Sequence, residues 1–128
     1  AKLKIDEQLK MDDITDRFVE ELALLEPYGL GNPTPVFATR GLAVASHRYV
    51  GAESNHLKLK LESEGRIIDA IGFRMGSKNS AVSDTLFGKV DVAYSLEFNT
   101  WGKNRSIEMN LKDIRACDGD VGEEDIIV

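Results

Sequence analysis

The chain has 128 residues, of which 42% are hydrophobic and 30% are charged, so it is long enough for one globular domain with a modest core. Its single cysteine, Cys117, excludes an internal disulfide and fits a reducing, cytoplasmic location. No apolar run approaches the roughly 20 residues of a membrane span, and the charged amino end does not resemble a signal peptide. We therefore expect no membrane partner.

The formal net charge of −6 argues by itself against a nucleic-acid partner, but this charge is unevenly distributed. Residues 118–128 carry a net −5, and residues 1–26 carry a net −4. The intervening residues 27–117 therefore carry a net +3. This mild basic excess is a weak nucleic-acid footprint, and it indicates a module that assists a larger binding surface. We expect residues 118–128 to form an acidic tail.

The amino-terminal part predicts an extended entry followed by an amphipathic helix. Apolar residues alternate with polar ones at the start, which is typical of a short strand. Four apolar positions then recur at spacings of four, four and three, which places them on one helical face. These positions are Ile14, Phe18, Leu22 and Leu25. Asp12, Asp13 and Thr15 are candidate N-cap residues. We expect the helix to dock on the main domain or on a region outside this chain.

The run Leu-Glu-Pro-Tyr-Gly-Leu-Gly-Asn-Pro-Thr-Pro-Val-Phe, residues 25–37, predicts a rigid elbow between this helix and the first long strand. Prolines fix φ, and glycines permit backbone angles that are closed to other residues. The elbow residues are Pro27, Tyr28, Gly29, Gly31, Asn32, Pro33 and Pro35. A phosphate-binding loop is disfavoured, because the run has no Gly-Lys-Ser/Thr and lacks the third glycine of a dinucleotide fingerprint. We expect residues 1–35 to link the main domain to a region outside this chain.

Residues 36–117 predict five strands with a short helix between the third and the fourth. The strands are expected at Val36 to about Ser46, His56 to Glu62, Arg66 to Phe73, Lys89 to Asn99 and Arg105 to Arg115. Residues 47–55 are interpreted as a loop or short ribbon and residues 81–87 as the helix. Gly41 lies inside the first strand, where a glycine often marks a bulge or a bend.

This order of elements is typical of one architecture. It predicts a mainly β fold, namely a five-stranded OB-fold Greek-key barrel with an N-terminal amphipathic helix and a short helix between strands three and four. An SH3-like barrel is the rival, and it accounts less well for the segment 77–87. Period-two alternation places Leu57, Leu59 and Leu61 on the core side of the second strand, and Lys58 and Lys60 on the opposite side.

In an OB-fold, ligands lie across the second and third strands and are flanked by the loops after the first and the fourth strand. Cations and aromatic rings are concentrated there, and this is the combination that binds single-stranded nucleic acid. The candidate nucleic-acid-binding residues are Arg48, Tyr49, Lys58, Lys60, Arg66, Arg74, Trp101, Lys103 and Arg105. Two alternatives stay open: the lysines face solvent without a ligand, or Trp101 packs over the open end of the barrel.

Catalysis is poorly supported by the sequence. Hydrolysis of a phosphodiester needs clustered carboxylates and histidines around metal ions. The only histidines are His47 and His56, and no Asp-His-His, His-x-x-x-His or Cys-x-x-Cys occurs. We therefore predict no catalytic residue, no metal ligand and no cofactor in this chain.

The elbow resembles the signature L-x-P-[FY]-G-x-G-N-P-x-P-x-F of RecJ-type single-strand-specific DNA exonucleases. The runs His56-Leu57-Lys58 and Leu111-Lys112-Asp113-Ile114 are similar to later landmarks of the same domain. The resemblance covers roughly residues 3–115, and in that family the elbow joins the catalytic part to a C-terminal OB-fold domain.

The resemblance implies a domain that guides single-stranded DNA while another domain cuts it in the 5′-to-3′ direction, in DNA repair and recombination. The metal, Mg²⁺ or Mn²⁺, is then expected in an amino-terminal domain that bears an Asp-His-His motif. The implied partners are single-stranded DNA, the catalytic domains of the same polypeptide and repair proteins. A second hypothesis is a docking module for a repair nuclease with no direct DNA contact.

Overall fold

Five long strands form a closed barrel in the computed structural model, which describes residues 4–77 and 80–117. These five strands are β2 (Phe37–Val50), β3 (His56–Ser63), β4 (Arg66–Gly72), β5 (Val90–Trp101) and β6 (Asn104–Ala116), and they follow a two-residue strand, β1 (Glu7–Gln8). The helices are α1 (Asp16–Ala23) and α2 (Ser80–Thr85), with short 3₁₀ turns at Met11–Asp13 and Ala52–Ser54. The predicted acidic tail, 118–128, lies outside the described residues.

The strand order is β1-β2-β3-β4-β6-β5, and an additional pairing between β2 and β5 closes the barrel. All barrel pairings are antiparallel except that of β4 with β6, which is parallel. The helix α2 lies between β4 and β5 in the chain, which are the third and fourth barrel strands. The predicted OB-fold is therefore confirmed. No helix in the described part of the chain is long and apolar enough to cross a membrane.

Strand β2 serves both sides of the barrel because it bends at Gly41. This glycine has a φ of 71°, and the pairing of β2 with β5 shifts register between Thr39 and Leu42. A carboxylate oxygen of Asp91 accepts the Gly41 N–H at 2.9 Å, which fixes the bend from the neighbouring strand. The interior glycine was thus a correct signal for a bulge.

The same strand is longer than the sequence predicted. The segment 47–50, interpreted as part of a loop or short ribbon, continues β2 and pairs antiparallel with 56–59 of β3. The connection between the two strands is therefore only Gly51–Asn55. The predicted end of the strand, at about Ser46, was too early because His47, Arg48 and Tyr49 lack an apolar alternation. The ladder with β3 satisfies their backbone groups regardless of side chain.

The core is built by the alternation that the sequence predicted. Leu57, Leu59 and Leu61 are buried, and the inward side chains of β6 are buried opposite them. Tyr94 of β5 is also buried, and its hydroxyl lies 2.6 Å from the Thr39 hydroxyl of β2. This hydrogen bond pairs two polar groups that would otherwise be unsatisfied in the core.

The helix α1 is shorter than its apolar pattern predicted. Thr15 is its N-cap and accepts the Phe18 N–H at 3.1 Å, so one of the three candidate caps is confirmed. Ile14 is buried but precedes the helix, and Leu25 follows it and is exposed. Phe18 packs edge-on against Phe37 with ring centroids 5.5 Å apart, which attaches the helix to the barrel.

The elbow is held by hydrogen bonds from its own residues. The Tyr28 hydroxyl donates to the carbonyl of Leu22 in the last turn of α1. The Asn32 side-chain amide donates to the Leu25 carbonyl at 2.6 Å, and Asn32 also pairs with Gly29 through two backbone hydrogen bonds. Asn32 therefore bonds backbone groups here, which fixes the path of the chain from the helix to β2.

Candidate nucleic-acid interface

Three cations meet on the outer face of the barrel, by which we mean the side chains of β2–β6 that point away from the core. The register pairs Arg48 with Lys58 and Ser46 with Lys60 across β2 and β3. We call Arg48, Lys58 and Lys60 the basic row. They line an open groove of about 400 Å³ that also includes Asp69. The two strands thus place cations from separate parts of the sequence side by side.

The members of the basic row differ in how freely they can bind an anion. Lys60 is paired with Asp69 at 2.8 Å, and Lys58 Nζ lies 3.4 Å from a carboxylate oxygen of Glu108. Arg48 is exposed, and its side chain makes no hydrogen bond or ion pair within residues 4–77 and 80–117. A ligand phosphate would therefore meet Arg48 first, and it would compete with carboxylates for the two lysines.

The adjoining part of the outer face carries an acidic pair, Glu97 of β5 and Glu108 of β6. The two residues are directly opposite each other across the strands, and Glu108 is buried. Burial, and then the charge of Glu108, raises the pKa of Glu97 above its ordinary value of 4.5, while Lys112 lowers it. Phosphates are disfavoured here, because like charges repel more strongly where water is partly excluded.

Trp101 and Lys103 lie at the tip of the hairpin that joins β5 to β6. The Trp101 side chain is 52% exposed, so it does not seal the end of the barrel, and Lys103 is exposed next to it. An indole in this position has a free face for stacking.

Three other candidate residues are engaged in contacts away from the basic row. Arg66 donates to the Met11 carbonyl at 2.6 Å and so attaches the amino-terminal segment to the end of the barrel. Tyr49 packs against the core, and its hydroxyl lies 2.9 Å from that of Ser83.

The third of these residues, Arg105, lies between α1 and the β5–β6 hairpin. Its guanidinium carbon is 4.0 Å from the centroid of the Phe98 ring, and its Nη2 is 3.5 Å from a Glu20 carboxylate oxygen. The remaining candidate, Arg74, is exposed just beyond the end of β4. The structure thus gathers Arg48, Lys58 and Lys60, and leaves the other cations dispersed.

Two aromatic residues near the groove, His56 and Phe73, were not among the predicted binding residues. Their ring centroids are 5.3 Å apart, and Phe73 is 52% exposed. The signal was present, because period-two alternation along the third predicted strand places Phe73 on the same side as Asp69 and Ile71. Within the described ranges, no group of three or more His, Cys, Asp or Glu side chains is arranged to hold a metal ion.

Comparison with known proteins places the barrel in a family. The family described as RecJ OB domain matches residues 5–113. The chain belongs to this family. The single-stranded-DNA-specific exonuclease RecJ of Bacillus subtilis (strain 168) is 23% identical to this RecJ OB domain over 103 residues, which are 80% of this chain and 13% of that protein. The chain therefore spans a small part of the length of the curated relative it matches.

Solved structures agree with the assignment. The crystal structure of RecJ in complex with Mn²⁺ from Thermus thermophilus superposes on this RecJ OB domain with a TM-score of 0.67 at 29% identity, and the match covers 94% of this chain and 17% of that chain. The mitochondrial single-stranded DNA binding protein Rim1 of S. cerevisiae superposes with a TM-score of 0.50 at 16% identity, over 65% of this chain and 95% of that chain. At that identity the second likeness shows the fold alone.

Proposed function

We propose that this RecJ OB domain binds single-stranded DNA and guides it to a metal site in another region of a RecJ-like 5′-to-3′ exonuclease, in cytoplasmic DNA repair and recombination. The observation that carries the proposal is the basic row, in which Arg48, Lys58 and Lys60 line one groove of the outer face. The relatives are named as single-stranded-DNA-specific exonucleases, and Rim1 as a single-stranded DNA binding protein, which supports this choice of ligand. The metal, Mg²⁺ or Mn²⁺, belongs to the other region in this proposal.

The geometry fits a single strand bound without regard to sequence. The cations would contact phosphates, and the exposed Trp101 would stack on a base, which needs no particular base because every base has a flat face. Binding by the isolated chain should be weak, because carboxylates already occupy two of the three cations. This domain would then add to an affinity that the whole enzyme supplies.

The direct experiment is fluorescence anisotropy of the chain with labelled oligonucleotides. Single-stranded DNA should bind more tightly than a duplex of the same length. The affinity should fall as salt rises, because bound phosphates release counterions. Equal binding of the two forms, or an affinity that salt does not change, would contradict the proposal.

A matched pair of arginine variants tests the site. Arg48→Gln removes the exposed cation of the groove, whereas Arg17→Gln removes an exposed cation of α1 and the same charge. We expect Arg48→Gln to weaken binding about three- to tenfold and to reduce the salt slope by about 0.7. Arg17→Gln should change neither quantity. Equal effects would show that only net charge matters.

The second candidate function is docking on another region of the polypeptide or on a repair protein. Exposed leucines favour it: Leu24, Leu25 and Leu30 are all exposed where α1 meets the elbow. Clustered exposed apolar side chains often mark a protein contact. Changing Leu25 and Leu30 to Ser should weaken association with the catalytic region and leave oligonucleotide binding intact. If those variants lose association with the catalytic region while Arg48→Gln leaves oligonucleotide binding unchanged, docking is the better description.

A further inference from the structure

An apolar row runs beside the basic row on the outer face of the barrel. It consists of Ile71 of β4 and Phe73, which directly follows that strand, and of Ile67, which lies on the same side of β4 beyond Asp69; Ile67 and Phe73 are exposed. Lys58 is the cross-strand partner of Ile71, so the two rows lie on adjacent strands. Side chains two residues apart on a strand are separated by about 7 Å, whereas cross-strand neighbours are about 5 Å apart. The outer face therefore presents cations along one line and, apart from Asp69, which pairs with Lys60, apolar surface along the next.

Phe73 is the largest member of the apolar row, and its ring is held in place. The His56 ring meets it edge to face, with centroids 5.3 Å apart and an interplanar angle of 76°. His56 is itself oriented, because its Nδ1 accepts the backbone N–H of Arg74 at 3.1 Å. This bond requires the neutral tautomer with its proton on Nε2. An exposed aromatic ring with an ordered support loses little conformational entropy when a ligand stacks on it.

The chain after Phe73 is fixed by the loop that joins β2 to β3. Arg74 has a φ of 64°, a conformation that non-glycine residues adopt only when the surroundings impose it. Gly76 lies so close to this loop that a Cβ would overlap with the Ser54 carbonyl oxygen. The backbone N–H of Ser77 donates to the same carbonyl at 3.1 Å. The two segments therefore form one ordered support beneath Phe73 and His56.

We propose that the single strand lies along the direction of β3 and β4, with its phosphates on the basic row, its bases over the apolar row, and one base stacked on Phe73. This inference rests on the proposed function and deepens it, because it assigns a second stacking residue and an orientation. A polynucleotide fits this surface because its charged backbone and flat apolar bases repeat side by side, as the two rows do. Trp101 lies on the opposite hairpin, so the two rings are separate contacts.

The first experiment compares two exposed phenylalanines by oligonucleotide binding. Phe73→Ala removes the proposed stacking ring, and Phe87→Ala removes a ring exposed in the connection between α2 and β5. We expect Phe73→Ala to weaken binding of single-stranded DNA about fivefold or more, and Phe73→Trp to restore it. Phe87→Ala should bind like the unchanged chain. Unchanged binding by Phe73→Ala would overturn the inference.

The second experiment reads stacking directly. Trp101 is the only tryptophan of the chain, so the double variant Trp101→Phe, Phe73→Trp carries its single indole at the proposed position. Oligothymidylate should quench its fluorescence, whereas an abasic oligonucleotide of equal length and charge should not. Equal signals from the two ligands would show that no base stacks at this position and would overturn the inference. Binding of the unchanged chain to oligothymidylate, measured in parallel, shows whether the stacking assignment alone or the proposed function itself has failed.

Discussion

The outer face of the barrel differs in charge between its two sides, although both sides are built by the same alternation of side chains. On β2 and β3 the outward positions supply Arg48, Lys58 and Lys60, whereas on β5 and β6 they supply Glu97 and Glu108. The boundary between the basic side and the acidic side lies where β4 pairs in parallel with β6. The net charge of the chain therefore says little about its partner, because the sign of the local field depends on which strands become neighbours.

The two sides are joined at Lys58, and removing its charge should have the largest effect on stability. Glu108 is buried, and Lys58 is the cation that faces it, so Lys58→Met would leave a carboxylate without compensation. We expect the free energy of unfolding to fall by about 2 kcal/mol, less than for a fully buried pair because Lys58 reaches solvent. Urea unfolding at neutral pH measures this loss.

Lys60→Met is the matched control, because Lys60 forms a more exposed pair with Asp69. Its cost should stay below about 1 kcal/mol. If the two variants lose equal stability, burial of Glu108 does not distinguish the two sides of the face.

The next effect concerns the affinity for single-stranded DNA, which we expect to rise. Glu108→Gln removes the carboxylate that competes for Lys58, so it should strengthen binding of single-stranded DNA about three- to fivefold. Glu20→Gln removes a carboxylate that faces Arg105 instead, and it should leave binding unchanged. Anisotropy titrations at one salt concentration compare the two variants. A gain of equal size from both would mean that net charge, and not the position of the acid, sets the affinity.

The smallest effect concerns pH and Glu97. Burial and the neighbouring Glu108 raise the folded-state pKa of Glu97 above 4.5, so the native chain binds more protons than the unfolded chain between the two pKa values. The stability that Glu97 contributes is fully present below its pKa in the unfolded state. It is lost as the pH rises through its pKa in the folded state. Glu97→Gln should therefore be slightly stabilising at pH 7, with an advantage that shrinks towards pH 4.

Urea unfolding of the unchanged chain and of Glu97→Gln across this pH range tests the assignment. Glu64→Gln, in the exposed turn between β3 and β4, serves as the control and should show no such pH-dependent difference. An advantage for Glu97→Gln that grew towards low pH would contradict the assigned direction of the pKa shift.

Local patterns in the sequence predicted most of the fold. The alternation of Leu57, Leu59 and Leu61 identified both a strand and its buried face, and Gly41 identified the bend of β2. These signals succeed because each depends on one residue and its immediate neighbours. The length of β2 was missed, since the ladder at His47 to Val50 depends on backbone groups of a distant strand.

The candidate site was predicted less completely. Lys58 and Lys60 were correctly placed on the outward side of their strand, but their carboxylate partners were not foreseen. Glu108 reaches Lys58 only because β6 pairs in parallel with β4, and no local pattern encodes that register. Arg66 was assigned to the interface from its type and position alone, whereas its contact with Met11 depends on how the amino-terminal segment folds back.

The central claim is that one side of the barrel, and not the other, meets single-stranded DNA. Backbone amide NMR of the ¹⁵N-labelled chain during titration with oligothymidylate tests it most directly. We predict that shifts concentrate at residues 46–49, 56–60 and 71–74 and stay small around Glu97, Glu108 and α1. Shifts confined to α1 and the elbow, with residues 46–60 unchanged, would contradict the account.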